Sequence, residues 1–194
     1  MTVSRLQREE NILLSLKKLH FLSRSQLQQL HRLGSVRNAN RILKEMSDYL
    51  HSFRVNENVY YLSKEGRDRV DCDRVTRKTL QVEHYLMRNA LYILFNCPHN
   101  WRNEVRLSIP SKVSVVADAL YETTSNYYLI EIDHLQKMKS NRDKVAKYRQ
   151  LIELNVFKKT PVLVWVTTTE YRKKELIRLC EGLQVRIYLA KDLL

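Results

Sequence analysis

Three carboxylates in the second half of the chain could do chemistry. Asp118 lies within Val115-Val116-Ala117-Asp118-Ala119-Leu120, an otherwise apolar stretch of strand type. Glu131 and Asp133 lie in the next such stretch, Tyr127 to Asp133, and alternation puts both on one face. Charge inside apolar strands needs a partner. If the strands are neighbours, Asp118 and Glu131 reach a common cation. A hard ion such as Mg²⁺ takes oxygen ligands, and beside a phosphodiester it can activate water and steady the leaving oxygen. Strand-end charges paired with lysines of the following helix fit the spacing equally well.

A second set of residues points to nucleic acid. Val36, Ala39, Leu43, Met46 and Leu50 recur at spacings of three and four, an apolar helical stripe. Arg37, Asn38, Arg41 and Lys44 occupy the opposite face, and Ser35 stands where a helix cap belongs. Such a front suits a major groove, where arginine pairs with guanine and asparagine with adenine through two hydrogen bonds each. Arg54 and Asn56 fall beside a polar turn, Asn56-Glu57-Asn58, between two short strands, and would sit near a phosphate or minor groove. The alternative is a three-helix module with a solvated basic face.

The elements that must hold these residues differ between the halves. Residues 1–74 read as a helix from about Ser4 to Leu19, facing inward through Leu6, Leu13, Leu16 and Leu19 or His20, then a second helix opened by a Ser23/Gln26 capping box and closed by Gly34. The striped third helix, a hairpin of Ser52 to Val55 with Val59 to Leu62, and a short helix capped by Ser63 complete them. That order predicts a winged helix-turn-helix. Residues 75–194 read as a helix from Leu80 to Phe95, strands at 104–107, 113–121 and 127–133, and a basic helix from Leu135 to Leu154 whose inner face is Val145, Tyr148, Leu151 and Ile152. A buried strand from Pro161 to Thr167, a helix at 171–181 and a strand at 185–189 follow. The class is α+β: a winged helix followed by an α/β domain with a mixed sheet. The seam is the polar stretch Val70 to Lys78.

Composition narrows the partners. The 194 residues carry 34 Lys+Arg against 21 Asp+Glu, a net charge of +13. A pI near 9.7 predicts a polyanionic partner, nucleic acid first and a membrane surface second, though no basic amphipathic end segment supports a membrane; with the striped helix, the partner expected is double-stranded DNA. Residues 1–78 hold 16 basic and 9 acidic residues, a net of +7, and the remainder is +6, so both halves could touch it. Only three glycines, Gly34, Gly66 and Gly182, are present, so neither glycine-rich phosphate loop can be written. No apolar run reaches the roughly 18 residues of a spanning helix, and Met1 to Glu10 lacks a signal-type segment. A cytoplasmic protein without a membrane partner is expected. Cys72, Cys97 and Cys180 read as free thiols, and no metal spacing links the six histidines.

Short motifs along nearly the whole chain resemble the replication-relaxation family of plasmids, phages and integrative elements. Phe21-Leu22-Ser23-Arg24-Ser25-Gln26-Leu27 is similar to its helix-turn-helix opening, which makes Arg24 a DNA-contact candidate. Tyr60 to Gly66 resembles its wing-closing strand and glycine turn, and His84 with Asn89 its next helix. Trp101 and Glu104 fit the strand that follows. Ala117-Asp118-Ala119 stands where the family has Pro-Asp-Ala, Glu131-Ile132-Asp133 matches its Glu-x-Asp, and Lys144 with Tyr148 its Lys-x-x-x-Tyr. The resemblance implies a winged helix joined to a domain like the PD-(D/E)xK nucleases. In a working nuclease of that kind a lysine follows the acid by two residues. Asp133 stands there, so Lys144 or Lys137 would have to reach the site from the next helix.

Three functions follow. The first is a non-cleaving, sequence-specific DNA-binding protein of a mobile element, controlling replication or transcription, with a homodimer expected on paired half-sites. The second is a Mg²⁺-dependent nuclease or nickase, with Asp118, Glu131 and Asp133 or Glu104 holding metal and Lys144 orienting water. The third is an interaction module of a replication complex.

Overall fold

A computed structural model describes residues 4–193. The chain divides into two compact units, residues 1–89 and 90–194.

The first unit begins with helix α1 (Arg5–Leu19), whose N-cap Ser4 accepts from the Gln7 amide. It buries Ile12, Leu13, Leu16 and Leu19. Leu6, expected inside, is 67% exposed, because the stripe starts a turn later. Strand β1 (Leu22–Ser23) leads into α2 (Arg24–Leu30), where Ser23 and Gln26 form the reciprocal capping box. Gly34, at φ +72°, turns the chain into α3 (Val36–Glu45), capped by Ser35 Oγ. Ala39, Ile42, Leu43 and Met46 make the buried stripe of α3. Val36 is half-exposed and Ile42 takes its place, since positions 39, 42, 43 and 46 share one face.

Strands β2 (Leu50–Arg54) and β3 (Asn58–Leu62) form an antiparallel hairpin, and β1 adds to its other side in the order β1-β3-β2. Ser63 caps α4 (Lys64–Arg69). A Cβ on Gly66 would lie 2.1 Å from the Tyr49 carbonyl oxygen, so only glycine fits there.

Helix α5 (Val82–Leu94) begins two residues after Leu80, which is 94% exposed. Its first turns belong to this unit. Val82, Tyr85 and Leu86 pack with Phe21, Phe53 and Val59, and the Asn89 amide donates to the Phe21 carbonyl at 2.7 Å. The units therefore divide inside α5 rather than in the polar stretch near residue 74, which runs without regular structure from Cys72 to Thr79.

The second unit is a five-stranded sheet in the order β4 (Arg102–Ile109), β5 (Val113–Glu122), β6 (Asn126–Asp133), β7 (Thr160–Thr167) and β8 (Val185–Leu189). The first three strands are antiparallel; β6–β7 and β7–β8 are parallel. Val162 to Thr167 are all buried, as a strand with two apolar faces requires. Helix α6 (Met138–Glu153) packs Val145, Tyr148 and Leu151 against Leu129, Leu163 and Trp165. Ile152 is only half-buried, and Leu135 precedes the helix at 80% exposure. Helix α7 (Glu170–Leu179) adds Leu176 to the same core, and a short 3₁₀ turn (Ala190–Asp192) follows β8. The fold is mixed α and β. No described helix is long and apolar enough to cross a membrane.

Candidate functional site

In the second unit β5 and β6 bring Asp118 and Glu131 to one point. The Ile132 amide donates to Asp118 Oδ2 at 2.7 Å. Lys144, near the middle of α6, places its ammonium against Glu131 Oε2 and 3.8 Å from Asp118 Oδ1. The Tyr148 hydroxyl, one turn further on, donates to Glu131 Oε1 at 2.6 Å. Spacing of four on α6 puts Lys144 and Tyr148 on one face, so a single helix serves both oxygens of Glu131. Lys137, the other candidate lysine, is exposed at the start of α6.

Glu131 is fully buried. Burial pushes its carboxyl up to about 8; Asp118 adds to this, and Lys144 and Tyr148 oppose it. Burial works against the Lys144 charge, but Glu131 and Asp118 hold its pKa above the ordinary lysine value. The Tyr148 phenol is raised well above its usual value by burial and then by Glu131.

The raised Glu131 fixes a pH dependence. Its folded-state pKa lies above the unfolded one, so the folded protein holds an extra proton between about 4.5 and 8. Stability from this group is full below about pH 4.5 and declines as pH rises towards 8. Both tryptophans, Trp101 and Trp165, lie in the second unit, so their fluorescence reports its unfolding. Between pH 6.5 and 8 the midpoint of the wild type should fall more steeply than that of Glu131→Gln. Parallel slopes would mean Glu131 does not take up this proton.

Asp133 shares the face of Glu131 but joins a different set. Burial opposes its charge, yet Arg172, Asn141 and Thr167 together hold its carboxyl below the ordinary range. Asn141 Nδ2 donates to Oδ1 at 2.8 Å, Thr167 Oγ1 to Oδ2 at 2.7 Å, and Arg172 Nε to Oδ2 at 2.7 Å, with Arg172 Nη2 on Oδ1. Arg172 Nη2 also donates to the Gln136 carbonyl at 2.7 Å. Glu104 is exposed on β4, at φ +53°. No described group of three or more His, Cys, Asp and Glu side chains could hold a metal ion. Asp118 and Glu131 are the two carboxylates left for a hard cation, which would keep waters as its remaining ligands. Lys144 brings its own positive charge between the two carboxylates, and both oxygens of Asp133 are taken by Arg172, Asn141 and Thr167.

In the first unit Arg37, Arg41 and Lys44 are exposed on the outward side of α3. Spacings of four and three place all three on one face, opposite Ala39, Ile42, Leu43 and Met46. Asn38 is turned to structural use: its Nδ2 donates to the Leu33 carbonyl at 2.7 Å. Ser35 Oγ is engaged by the Asn38 amide as the cap. Arg54 and Asn56 are exposed beside the β2–β3 turn. Arg24 pairs with Glu57 of that turn at 2.7 Å, and Glu57 also accepts from the Ser25 amide at 3.2 Å. The sequence reading missed Glu57 as the partner of Arg24 and Arg172 as the partner of Asp133. Both contacts join segments more than 30 residues apart, and no local spacing marks them.

The replication-relaxation family model matches residues 13–163, more than three quarters of the chain. The chain belongs to the replication-relaxation family. This ties it to a replication-related role, and the match covers α3, the β2–β3 turn, both acids of the Asp118–Glu131 pair and Lys144. No curated protein matches this replication-relaxation chain. Among solved structures it aligns with the crystal structure of protein VC1899 from Vibrio cholerae at 12% identity and a TM-score of 0.39. That alignment covers 97% of this chain and 48% of the other, so the chain spans about half that protein's length. The likeness is too slight to fix a fold.

Proposed function

We propose that the first unit is a winged helix-turn-helix that binds double-stranded DNA, and that the protein acts through it in the replication or transcription control of a mobile element. The observation that carries this reading is the single outward face of α3 bearing Arg37, Arg41 and Lys44, on a helix whose other face is buried. A helix of this kind fits the major groove, and its cations replace counterions along the phosphates. The turn between β2 and β3 serves as the wing, with Arg54 and Asn56 towards the backbone.

The second unit, on this reading, is a relative of the PD-(D/E)xK nucleases that does not cut. One observation favours the competing view of a nuclease: Asp118, Glu131 and Lys144 converge. Against it stands Lys144, whose ammonium already lies between the two carboxylates and offsets the negative charge that a divalent ion would bind.

Fluorescence-anisotropy titration of a 30-bp duplex across a salt series tests the binding. The affinity should fall by about 10- to 1,000-fold between 50 and 200 mM salt, as several phosphate contacts require. Salt-independent or absent binding would count against a DNA-binding role. Supercoiled plasmid with Mg²⁺ or Mn²⁺ tests the second unit. It should stay intact, whereas nicking that disappears in Asp118→Ala would establish the nuclease.

A further inference from the structure

We infer that Arg41 is the base-reading residue of α3, held ready for guanine by Asn38 and Glu45, while Arg37 and Lys44 serve the phosphates. The inference rests on the proposal that this unit binds duplex DNA.

The three cations of the outward face are not equivalent. Arg41 Nη2 donates to Asn38 Oδ1 at 3.0 Å, and its Nη1 bonds Glu45 Oε1. Both partners are themselves placed. Asn38 is fixed by its bond to the Leu33 carbonyl and by its position beside the Ser35 cap. Glu45 also pairs with Arg5 of α1, 3.6 Å away, and Arg5 Nε donates to Glu9 at 2.8 Å. A run of alternating charge, Glu9–Arg5–Glu45–Arg41, thus ends on the guanidinium at the middle of α3.

A guanidinium has five N–H donors in one plane. Asn38 and Glu45 engage two, one on each Nη nitrogen, and three are left. One donor on each Nη remains for a two-pronged contact. Guanine presents two acceptors, O6 and N7, on its major-groove edge, and a paired donor fits them. Holding the fork in place before contact lowers the ordering cost of binding. Glu45 has a second effect. A carboxylate facing DNA repels phosphate, so it penalises placements in which Arg41 finds no base to compensate. Arg37 and Lys44 have no comparable fixing bonds among the described residues, and mobile cations suit phosphates, which carry no sequence information.

Selection from duplexes randomised over 20 bp, at 150 mM salt, tests this with the full chain. Wild type should enrich guanine at a defined position in the recovered site. Arg41→Lys keeps the charge and loses the fork. It should lose that preference and bind the wild-type site about 10- to 100-fold more weakly, with little change on unrelated duplex. Arg37→Ala should keep the preference and weaken all duplexes alike. Glu45→Gln should keep guanine as the favoured base, with tighter binding to unrelated duplex and a smaller ratio between the two. Retained guanine preference in Arg41→Lys would overturn the assignment and make Arg41 a phosphate contact. Absence of duplex binding by the wild type would overturn the DNA-binding proposal itself, and this assignment with it.

Discussion

Arg172→Ala is expected to destabilise the second unit by about 3–5 kcal/mol, the usual result of leaving one member of a buried ion pair alone. Asp133 is fully buried and faces Arg172 through both carboxylate oxygens. Asn141 and Thr167 would remain as neutral donors, one to each oxygen, and neither carries the compensating charge. The substitution also frees the Gln136 carbonyl from its donor on α7, loosening the join between the loop after β6 and α7. Urea unfolding followed by tryptophan emission measures the effect, since both indoles are in this unit. Asp133→Asn in the same background removes the stranded charge and should return a good part of the stability. If Arg172→Ala unfolds at the wild-type midpoint, the pair is not the anchor described.

The next largest effect is at Gly66. Its α4 position approaches the backbone of the segment before β2 so closely that a Cβ would lie 2.1 Å from the Tyr49 oxygen and 3.0 Å from the Tyr49 carbonyl carbon. Backbone cannot swing aside as a flexible side chain does. Gly66→Ala should therefore cost at least the roughly 1–3 kcal/mol of ordinary overpacking, despite alanine's better helix propensity. Ser63 ties the same place together, donating its hydroxyl to the Asp48 carbonyl at 2.7 Å while capping α4 through the Gly66 amide at 3.0 Å. A melt by far-ultraviolet circular dichroism should show an early transition for Gly66→Ala, with the tryptophan transition of the second unit retained. An unchanged or raised midpoint would show that the approach is not tight.

Much of this architecture is written locally. Ser23 with Gln26, Ser35 and Ser63 each announce a helix start within three residues, and each forms its cap. The strands around Asp118 and Glu131 are legible from alternation, and a short polar turn makes them neighbours. Element ends are less so. Leu80 is apolar but precedes α5, because helical spacing shows which residues could face inward and not where a partner surface begins. Strand β1 has two residues and exists through pairing of Leu22 with Tyr60, a contact across 38 positions. Asp133 shows the limit at the candidate site. Its face was legible from the period of two, and its companion Arg172, which holds both its oxygens, was not. Arg24 is similar: the helix-turn-helix motif marks it, and only folding shows Glu57 holding it.

Removal of equal charge from two faces tests the DNA-binding surface most directly. One variant carries Arg37→Ala, Arg41→Ala and Lys44→Ala on α3; the other carries Lys139→Ala, Arg142→Ala and Lys147→Ala on the exposed side of α6. Each removes three positive charges, so a response to net charge alone would be the same in both. The slope of log affinity against log salt, measured on one 30-bp duplex, should become shallower by up to about 1.8 in the α3 variant, roughly 0.9 for each of the two phosphates that Arg37 and Lys44 no longer neutralise. It should stay near wild type in the α6 variant. Equal slopes in all three proteins, or a change confined to the α6 variant, would contradict a DNA-binding surface on α3.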